Sequence, residues 1–329
     1  MPEPAGASVI IVSWNTKELA LRCIESVFAK NRQVGLEVIV VDNGSADGTT
    51  AALRQLYPQV LLVANRENLG FARAVNQGLA AAKGELFVVM NADTALLSEE
   101  PILRIQRFLC AQPRVGIVGA TLVAPDGKVL SRGRRFQNVA NLAKIHLMFA
   151  SAPVFGGHKE MSDDVPLWVD YVDGAFLAVR RKVVAQVGPM DEAHFLYGED
   201  MEWCLRARKA GWQAAVLPDV VVRHHQGSSA TQHLARALCH NAVNVSHFVG
   251  QTYGWQQARV AWRILLLGML LRIPVALVRR SGLATHYWRA LRSCLLLSRD
   301  LGDLLKDRWP QALLAAEKEL RLARRGGEQ

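Results

Sequence analysis

Short apolar runs rich in β-branched residues alternate with helix-like stretches over the first hundred residues. Four such runs, the predicted strands, lie at residues 9–12, 38–41, 60–63 and 86–90. Between the first two, apolar residues recur at the spacing of a helix face, at Leu19, Cys23 and Val27. Continuous apolar strands separated by helices are typical of a parallel sheet that is covered on both faces. The pattern therefore predicts an α/β fold with a mostly parallel sheet flanked by helices.

A less regular order of elements is predicted after residue 95. Ser98 is placed to cap a helix that carries Ile102 and Leu109. The pattern then predicts strands at 115–123 and 128–130 around a turn, a mobile loop over 131–164, a strand at 167–179, a helix from about 200 to 211 and a strand at 214–222. Residues 1–230 are interpreted as one α/β domain.

The last hundred residues follow a different pattern, in which arginines interleave with leucines and tryptophans at helical spacing. Basic amphipathic helices of this kind lie in a membrane interface. The alternative is that they pack on the rest of the chain, or on a second subunit in a homodimer, with their arginines in solvent. Residues 231–329 are therefore predicted to be a helical region for membrane contact or for oligomerisation.

Features that mark secretion or membrane insertion are not found. The longest apolar stretch, residues 264–271, is bracketed by Arg263 and Arg272. A spanning helix needs about 20 apolar residues, so no transmembrane segment is predicted. The first residues lack the basic start and long apolar run of a signal peptide. Five scattered cysteines without a CxxC pair disfavour a disulfide framework or a zinc site, so a reducing, cytoplasmic compartment is expected.

Composition and charge narrow the function classes. The 329 residues include 39 Lys+Arg and 29 Asp+Glu, and 50% are hydrophobic, which excludes disordered, collagen-like and coiled-coil proteins. Residues 1–230 carry a net charge of +1 and residues 231–329 carry +9, so the tail is expected to meet an anionic partner. That partner is not predicted to be a nucleic acid, because the arginines lie on Leu- and Trp-rich stretches without a nucleic-acid-binding motif.

Two acidic residues lie where an open parallel sheet binds ligands, beyond the carboxyl ends of its strands. Asp42 follows the second predicted strand and Asp93 follows the fourth. No GxGxxG or GxxxxGK[ST] loop joins a strand to a helix, which disfavours a Rossmann dehydrogenase and a P-loop enzyme. Carboxylates bind Mg²⁺ or Mn²⁺, and such a cation offsets the charge of a nucleoside diphosphate. The sequence is thus compatible with a nucleoside diphosphate bound through a divalent cation.

Short polar motifs recur near the ends of these elements. In chain order they are Ser13-Trp14-Asn15, Val41-Asp42-Asn43-Gly44-Ser45, Asn68-Leu69-Gly70-Phe71 with Asn76-Gln77-Gly78, Asn91-Ala92-Asp93, Gly174-Ala175, Gly198-Glu199-Asp200-Met201-Glu202-Trp203 and His224-His225-Gln226-Gly227-Ser228-Ser229. In this order and spacing, over residues 8–230, they resemble glycosyltransferase family 2. The most similar subgroup is that of rhamnosyltransferase-like enzymes of bacterial polysaccharide synthesis.

The resemblance implies a GT-A fold and inverting transfer of a sugar from a nucleoside-diphosphate sugar to an acceptor hydroxyl. It implies that Asp42 binds the base or ribose of the donor nucleotide, with Asn43 and Ser45 close by. Asn68 and Asn76 are expected in the same nucleotide-sugar site.

The resemblance also implies a site for Mg²⁺ or Mn²⁺. Asn91-Ala92-Asp93 stands where the family has its DxD metal motif. Because the first acid is replaced by Asn, Asp93 is the expected carboxylate ligand and Asn91 at most a neutral oxygen contact in the donor site. His224 matches the histidine of an HxxGxS pattern and is the expected second ligand.

Acidic residues begin the helix predicted near residue 200. Glu199 and Asp200 would be favoured there as caps alone, because the helix dipole and free amides attract carboxylates. The resemblance implies that Asp200 is the general base that removes the acceptor proton, with Glu199 orienting the acceptor or the helix. Trp203 is interpreted as a packing residue that alternatively walls the acceptor pocket. Arg132, Arg134 and Arg135 are either solvated or contact a phosphate.

The expected protein is therefore a glycosyltransferase that uses dTDP-rhamnose or a UDP-sugar. Its expected acceptor is a glycan or a lipid-linked sugar in cell-surface polysaccharide or glycolipid synthesis, and its expected location is the inner face of the cell membrane. The alternative is a non-catalytic protein of the same fold that binds a sugar nucleotide or a partner.

Overall fold

The computed structural model describes residues 6–147, 166–225 and 234–298. The strands in these ranges are β1 (Ala7–Ser13), β2 (Leu36–Asp42), β3 (Leu61–Ala64), β4 (Leu86–Asn91), β5 (Thr94–Leu96), β6 (Val115–Val123), β7 (Val129–Ser131), β8 (Leu167–Val169), β9 (Phe176–Arg180) and β10 (Gln213–His224). The helices are α1 (Lys17–Lys30), α2 (Thr49–Leu56), α3 (Phe71–Ala81), α4 (Pro101–Ala111), α5 (Val139–Leu147), α6 (Arg181–Val187), α7 (Glu199–Lys209), α8 (Leu234–Tyr253), α9 (Trp255–Val278) and α10 (Ala284–Leu297).

The first four strands form the parallel part of one sheet. β1 pairs in parallel with both β2 and β4, and β2 pairs in parallel with β3. Val9, Ile10 and Ile11 of β1 have no exposed surface, as expected of a strand covered on both faces. Cys23 and Val27 of α1 lie in the core cluster beneath it, on the predicted helix face. The α/β prediction and the four strands behind it are confirmed.

The rest of the sheet mixes strand directions. The strand order is β3-β2-β1-β4-β9-β6-β10-β5, with β7 beside β6 and β8 beside β10. β9 runs antiparallel to both β4 and β6, whereas β10 runs parallel to β6. β9 is nearly as buried as β1, so its apolar pattern carries no signal of its direction.

The predicted cap at Ser98 is wrong. α4 begins at Pro101, with Glu100 as the residue before it at a φ of 48°. The Ser98 hydroxyl instead donates to the carbonyl oxygen of Asp219 at 2.9 Å and accepts from the N–H of Val221 at 2.6 Å. Ser98 therefore fastens the end of β5 to β10, a tertiary contact that local sequence does not reveal.

Two other predictions in this region need correction. The predicted loop over residues 131–164 contains β7's last residue and helix α5, while residues 148–165, with Gly156-Gly157, lie outside the described residues. The predicted strand at 167–179 is two strands, β8 and β9, which pair with different partners. Between them the chain leaves the sheet, and Tyr171 forms an isolated bridge with Arg134.

The described residues divide into two compact units. The sheet unit contains residues 6–136, 166–195 and 199–225. The helical unit contains residues 137–147, 196–198 and 234–298, and thus α5 together with α8, α9 and α10. The division into domains at residue 230 stays a prediction.

α9 is the one helix among the described residues that is long and apolar enough to cross a membrane, judged by length and composition. Its most apolar 18-residue window has a mean hydropathy of 1.9, and 39% of that window is buried inside the structure. A buried core helix passes the same test, so no membrane span follows from it. Within its unit α9 packs against α5, α8 and α10.

Candidate active site

The carboxyl ends of three neighbouring strands bring predicted site residues to one edge of the sheet. Ser13 at the end of β1 lies in register with Asp42 at the end of β2. On the other side of β1, Val12 lies in register with Asn91 at the end of β4. Asp42 and Asn91 therefore flank β1 at the edge where open α/β sheets bind ligands.

Asp42 is buried, and its two carboxylate oxygens differ in their surroundings. Oδ2 accepts hydrogen bonds from the Ser45 N–H and the Thr50 hydroxyl, both at 3.1 Å. Oδ1 is also buried but has no hydrogen-bond partner among the residues that the structure describes. An unsatisfied buried acceptor costs about 1–3 kcal/mol. A ligand N–H or hydroxyl at this point would satisfy it.

Ser45 joins the loop after β2 to the loop after β1. Its hydroxyl oxygen accepts from the N–H of Asn15 at 2.8 Å, and the Asn15 side-chain oxygen accepts from the N–H of Ala46 at 2.8 Å. Asn15 has a φ of 50°, in the left-handed region that Asn tolerates better than most residues. The reciprocal contact fixes the rim on both sides of Asp42.

Asn43 is a buried hub of hydrogen bonds. Its Nδ2 donates to Asn68 Oδ1 at 3.0 Å and to the carbonyl oxygen of Gly70 at 3.1 Å. Its Oδ1 accepts from Asn65 Nδ2 at 3.1 Å and from the N–H of Leu69 at 3.0 Å. A carboxamide has two donor and two acceptor positions, so these contacts use its full capacity. Asn43 and Asn68 thus hold the loop before α3 against the end of β2.

Asn76 lies on α3 and fastens a second loop. Its Nδ2 donates to the carbonyl oxygen of Met190 at 2.9 Å and to Glu192 Oε1 at 3.1 Å, and its Oδ1 accepts from the Met190 N–H at 3.0 Å. The described contacts of Asn76 are therefore with the loop between α6 and α7. Nothing in them joins Asn76 to Asp42.

The pairing of β5 with β10 brings Asp93 to His224. Thr94 lies opposite His224 in that antiparallel pair, and the N–H of His225 donates to the carbonyl oxygen of Asp93 at 2.9 Å. His224 Nε2 lies 3.3 Å from Asp93 Oδ1, and both side chains are mostly buried. The two predicted metal ligands are therefore adjacent. Gly227 and Ser229 of the predicted pattern lie outside the described residues.

The Asp93–His224 pair fits part of a divalent-cation site. It offers one carboxylate and one imidazole, and the second imidazole nitrogen, Nδ1, is buried with no hydrogen-bond partner in the described part of the chain. No group of three or more His, Cys, Asp or Glu that could hold a metal occurs among the described residues. Mg²⁺ is commonly bound by one or two protein carboxylates and completed by substrate phosphates and water. The pair suits a cation of that kind.

Asp200, the second residue of α7, is tied to the same edge of the sheet. Its Oδ2 accepts from the N–H of Gly174 at 2.9 Å, and its Oδ1 accepts from the N–H of Met201 at 2.7 Å. The N–H of Asn91 donates to the carbonyl oxygen of Ala175 at 3.1 Å. Asn91 and Asp200 thus bind adjacent residues of the Gly174-Ala175 motif, so the predicted base lies close to the end of β4.

Burial perturbs both carboxyl groups at the start of α7. The pKa of Glu199 is raised to about 8, mainly by burial and to a smaller extent by the nearby charge of Asp200. The pKa of Asp200 is raised to about 6, mainly by burial and to a smaller extent by the charge of Asp173. Its two N–H donors and Arg134 act in the opposite direction and lower this pKa. A general base serves best when its pKa lies near the working pH. Asp200 has that property, whereas Glu199 is largely protonated at neutral pH.

A buried ion pair beside Asp200 was not predicted as such from the sequence. Arg134 Nε donates to Asp173 Oδ1 at 2.6 Å, and both side chains are mostly buried. Burial alone would lower the pKa of the Arg134 guanidinium, but nearby groups, the charge of Asp173 foremost, together raise this pKa above its ordinary value. The one available signal is that Asp173 directly precedes the Gly174-Ala175 motif.

Two further residues that the sequence singles out, Trp203 and Arg135, make structural contacts. Trp203 is fully buried, and its Nε1 donates to the carbonyl oxygen of Gly188 at 2.9 Å, which supports a packing role. Arg135 is exposed and lies 3.6 Å from Asp170, which also pairs with Arg208 at 2.7 Å. Arg135 is therefore a surface ion-pair residue.

Comparison with known proteins relates the chain, in sequence and in fold, to characterised families. The sequence model of the family described as "Glycosyltransferase like family 2" matches residues 4–238. The chain is 29% identical over 246 residues to N-acetylglucosaminyl-diphospho-decaprenol L-rhamnosyltransferase of Mycobacterium tuberculosis, covering 70% of this chain and 80% of the relative. It is 31% identical over 228 residues to the succinoglycan biosynthesis protein ExoO of Rhizobium meliloti, covering 66% of this chain and 59% of that protein.

Solved structures support the fold. A mannosyltransferase from Pyrobaculum calidifontis, in complex with GDP-Man and Mn²⁺, aligns with a TM-score of 0.55 over 97% of this chain and 89% of that one, at 18% identity. GalNAc-T7 with UDP, GalNAc and Mn²⁺ aligns with a TM-score of 0.54 at 15% identity, over 76% of this chain and 48% of that one. At this identity the likeness concerns the fold alone, which is the predicted GT-A type.

Proposed function

This chain belongs to glycosyltransferase like family 2, and from that premise we propose that it is an inverting enzyme that moves a sugar from a nucleoside-diphosphate sugar to an acceptor hydroxyl. The observation that carries the proposal is the set of polar groups at the strand ends of one sheet. Asp42 ends β2, and Asp93 follows β4 and contacts His224 at the end of β10. Asp200 of α7 accepts from the N–H of Gly174, just before β9. These groups have the chemistry that nucleotide binding, diphosphate binding and proton removal require.

The donor is a nucleoside-diphosphate sugar, and dTDP-rhamnose is the first candidate. The unsatisfied Oδ1 of Asp42 suits an N–H of a pyrimidine base or a ribose hydroxyl. Thymine and uracil present the same N–H, so this contact does not select between dTDP and UDP donors. The choice of rhamnose is supported by the name of the M. tuberculosis relative.

A divalent cation, Mg²⁺ or Mn²⁺, accompanies the donor. Asp93 and His224 would hold it, and Asn91 lies close by as a neutral oxygen donor. Such a cation supplies positive charge that stabilises the departing diphosphate. The Mn²⁺ bound in the two solved structures of similar fold supports this assignment.

Asp200 acts as the general base. Its two N–H contacts orient the carboxylate, and its raised pKa makes it a better proton acceptor than an ordinary aspartate. It takes the proton from the acceptor hydroxyl as that oxygen bonds to the anomeric carbon. The bond from that carbon to the diphosphate oxygen breaks on the opposite face, so the configuration inverts. Glu199, buried and largely protonated, supports the start of α7.

The acceptor is a lipid-linked sugar or glycan at the inner membrane surface. The M. tuberculosis relative is named for an acceptor sugar that is linked to decaprenol through a diphosphate, which supports this choice. The described part of the helical unit also offers a surface for lipid. Its exposed large apolar side chains on α9 and α10 include Val260, Leu267, Leu270, Leu277, Val278, Trp288, Leu295 and Leu296.

The charge on these helices favours an anionic bilayer over a neutral partner. On α9 the exposed positions recur every three or four residues, and Arg263 lies in the same stripe as Leu267 and Leu270. Arg289 and Arg292 are exposed on α10 beside its apolar residues. Arginine near an anionic membrane contributes about 1 kcal/mol each. An apolar stripe with arginines at its margins is the pattern of an interfacial helix.

The test is donor binding and turnover with the full chain. Purified protein with Mn²⁺ is mixed with dTDP-, UDP- and GDP-sugars, and slow donor hydrolysis and thermal stabilisation are measured. We expect stabilisation by one donor class, about 2.7 kcal/mol at a hundredfold excess over Kd. Asp200→Asn should lose at least a hundredfold in turnover while it keeps donor binding within a factor of about three.

The matched control is Asp219→Asn, which removes an exposed carboxylate paired with Arg104. It should leave both turnover and donor binding unchanged. Donor binding without turnover in the unmodified chain, even with polyprenol-linked acceptors, would favour the non-catalytic alternative. Stabilisation by no donor at all would contradict the proposed function.

A further inference from the structure

The Arg134–Asp173 ion pair lies directly behind the proposed base. Arg134 Nε contacts Asp173 Oδ1 at 2.6 Å, and the hydroxyl of Ser131 donates to the other oxygen, Asp173 Oδ2. The Arg134 side chain is 8% exposed. Because nearly all of this side chain is removed from solvent, Arg134 is not placed as a surface phosphate ligand.

The backbone of Arg134 is fastened as well as its side chain. Its N–H donates to the carbonyl oxygen of Tyr171 at 2.9 Å, and its own carbonyl oxygen accepts from the N–H groups of Asp170 and Tyr171 at 2.9 and 3.1 Å. Arg134 therefore holds the segment 170–173 both through its backbone and through the Asp173 carboxylate. The next residue, Gly174, supplies the N–H that orients Asp200.

Opposite charges face Asp200 from separate segments. Asp173 precedes β9 and Arg134 follows β7, while Glu199 and the buried Cys204 belong to α7 with Asp200 itself. Among these groups Asp173 raises the pKa of Asp200 and Arg134 lowers it. The pair therefore contributes two opposing fields as well as a fixed N–H donor.

We propose that Arg134 and Asp173 are a positioning pair, which holds the Gly174 N–H against the Asp200 carboxylate and balances the charge around it so that the base is both oriented and reactive. The inference rests on the proposed role of Asp200. It adds two residues that the family motifs quoted above do not include.

The two members of the pair have opposite expected effects on the pH profile of kcat. Asp173→Asn removes a negative charge and frees that of Arg134, so the acid limb should move down by about one pH unit. Arg134→Gln leaves Asp173 uncompensated, so the acid limb should move up by about one pH unit. We expect plateau kcat to fall about tenfold in both, because the N–H donor is less firmly held.

Two further variants separate this role from simple structural support. Arg134→Lys keeps the charge but not the guanidinium fork, so it should restore the acid limb to within a few tenths of a pH unit of the unmodified enzyme while plateau kcat stays lowered. Arg104→Gln removes an exposed arginine from its pair with Asp219, away from the 170–173 segment, and should change neither. Circular dichroism and donor binding establish that each variant is folded, and Asp173→Asn is nearly isosteric if Arg134→Gln does not fold.

The outcomes are distinguishable from failure of the proposed base. Equal loss of kcat at every pH, with the acid limb unmoved in both Asp173→Asn and Arg134→Gln, would overturn the positioning role and leave Asp200 as base intact. Retained turnover in Asp200→Asn would instead remove the base assignment on which the pair depends. If the acid limb moved in the same direction in Asp173→Asn and in Arg134→Gln, the proposed opposing effects of the two charges on Asp200 would also be contradicted.

Discussion

His224 Nε2 lies 3.3 Å from Asp93 Oδ1, a contact that joins the end of β10 to the turn after β4. The two residues are far apart in the chain, and the short strand β5 brings them together by pairing with β10 through Thr94 and His224. A carboxylate and an imidazole at this distance, with buried surroundings, form a preorganised pair of donors. Their adjacency is the basis of the first prediction.

His224→Ala should weaken the affinity for Mn²⁺ in the presence of a nucleoside diphosphate by at least tenfold, because it removes one of the two proposed protein ligands. Asp93→Asn should weaken it further, since the lost group also carries the charge that attracts the cation. Electron paramagnetic resonance of free Mn²⁺ during a titration measures both. His286→Ala, which removes an imidazole from α10, is the control and should not change the titration. Unchanged affinity in both site variants would remove this pair from the metal assignment.

The amide network around Asn43 predicts a stability effect that is separate from chemistry. Asn43→Ala removes four hydrogen bonds and leaves the Gly70 carbonyl and the Leu69 N–H without this partner. We expect a loss of about 2–4 kcal/mol in the free energy of unfolding, measured by urea denaturation. Donor affinity should also fall, because the network fixes the loop beside Asp42.

The control for this prediction is Gln55→Ala, which removes an exposed amide on α2. It should change the free energy of unfolding by less than about 0.5 kcal/mol. A stability of Asn43→Ala equal to that of the unmodified chain, with donor affinity reduced, would assign Asn43 to direct donor contact instead.

The edge of the sheet could be predicted from the sequence because its signals are local. Asp42 and Asn91 each end an apolar run, and parallel strands place their carboxyl ends together. The same reasoning does not reach residues whose partners are distant in the chain. The sequence predicts that Arg134 is solvated or contacts a phosphate, because its pairing with Asp173 depends on the path of residues 170–173 outside the sheet.

The helical unit was harder to predict for a related reason. α8 carries buried polar residues, including His240, Asn244 and Ser246, which blur the apolar face that periodicity detects. Asn244 Nδ2 donates to the carbonyl oxygens of Leu196 and Tyr197 within the same unit. The Nδ2 of this buried amide is paired through tertiary contacts, which no local sequence pattern predicts.

Glu199 predicts how the stability of the fold depends on pH. Its pKa of about 8 in the folded chain exceeds the ordinary value of 4.5, so between these pH values the folded chain holds a proton that the unfolded chain releases. Stability should therefore fall as pH rises through this range. Glu199→Gln removes the effect, and its free energy of unfolding should exceed that of the unmodified chain by about 1 kcal/mol or more near pH 8.5 but not near pH 5.

The matched control is Glu202→Gln on the same helix, whose carboxylate pairs with Arg206 at 2.6 Å. This variant loses an ion pair and should not show the added stability at high pH. Urea denaturation at both pH values gives the comparison. A gap between Glu199→Gln and the unmodified chain that does not change with pH would show that the side chain is not protonated in the fold.

The apolar stripe on α9 predicts binding to anionic vesicles. Leu267 and Leu270 are 44% and 48% exposed, and Leu277 is 63% exposed. Changing all three to Gln should lower the partition of the full chain onto vesicles of phosphatidylglycerol and phosphatidylcholine by at least tenfold, because each leucine contributes apolar area. Sedimentation of the protein with the vesicles measures the effect, and raised salt should weaken binding through the arginines.

Leu56→Gln is the control, since Leu56 is 56% exposed on α2 in the sheet unit. It should leave vesicle binding unchanged, which separates a local surface from a general loss of hydrophobicity. Light scattering of the unmodified chain and of the triple variant tests the alternative that the stripe contacts a second subunit. The unmodified chain could be a dimer that does not bind vesicles and that becomes monomeric with the three substitutions. In that case the stripe is an interface between subunits and the membrane assignment is wrong.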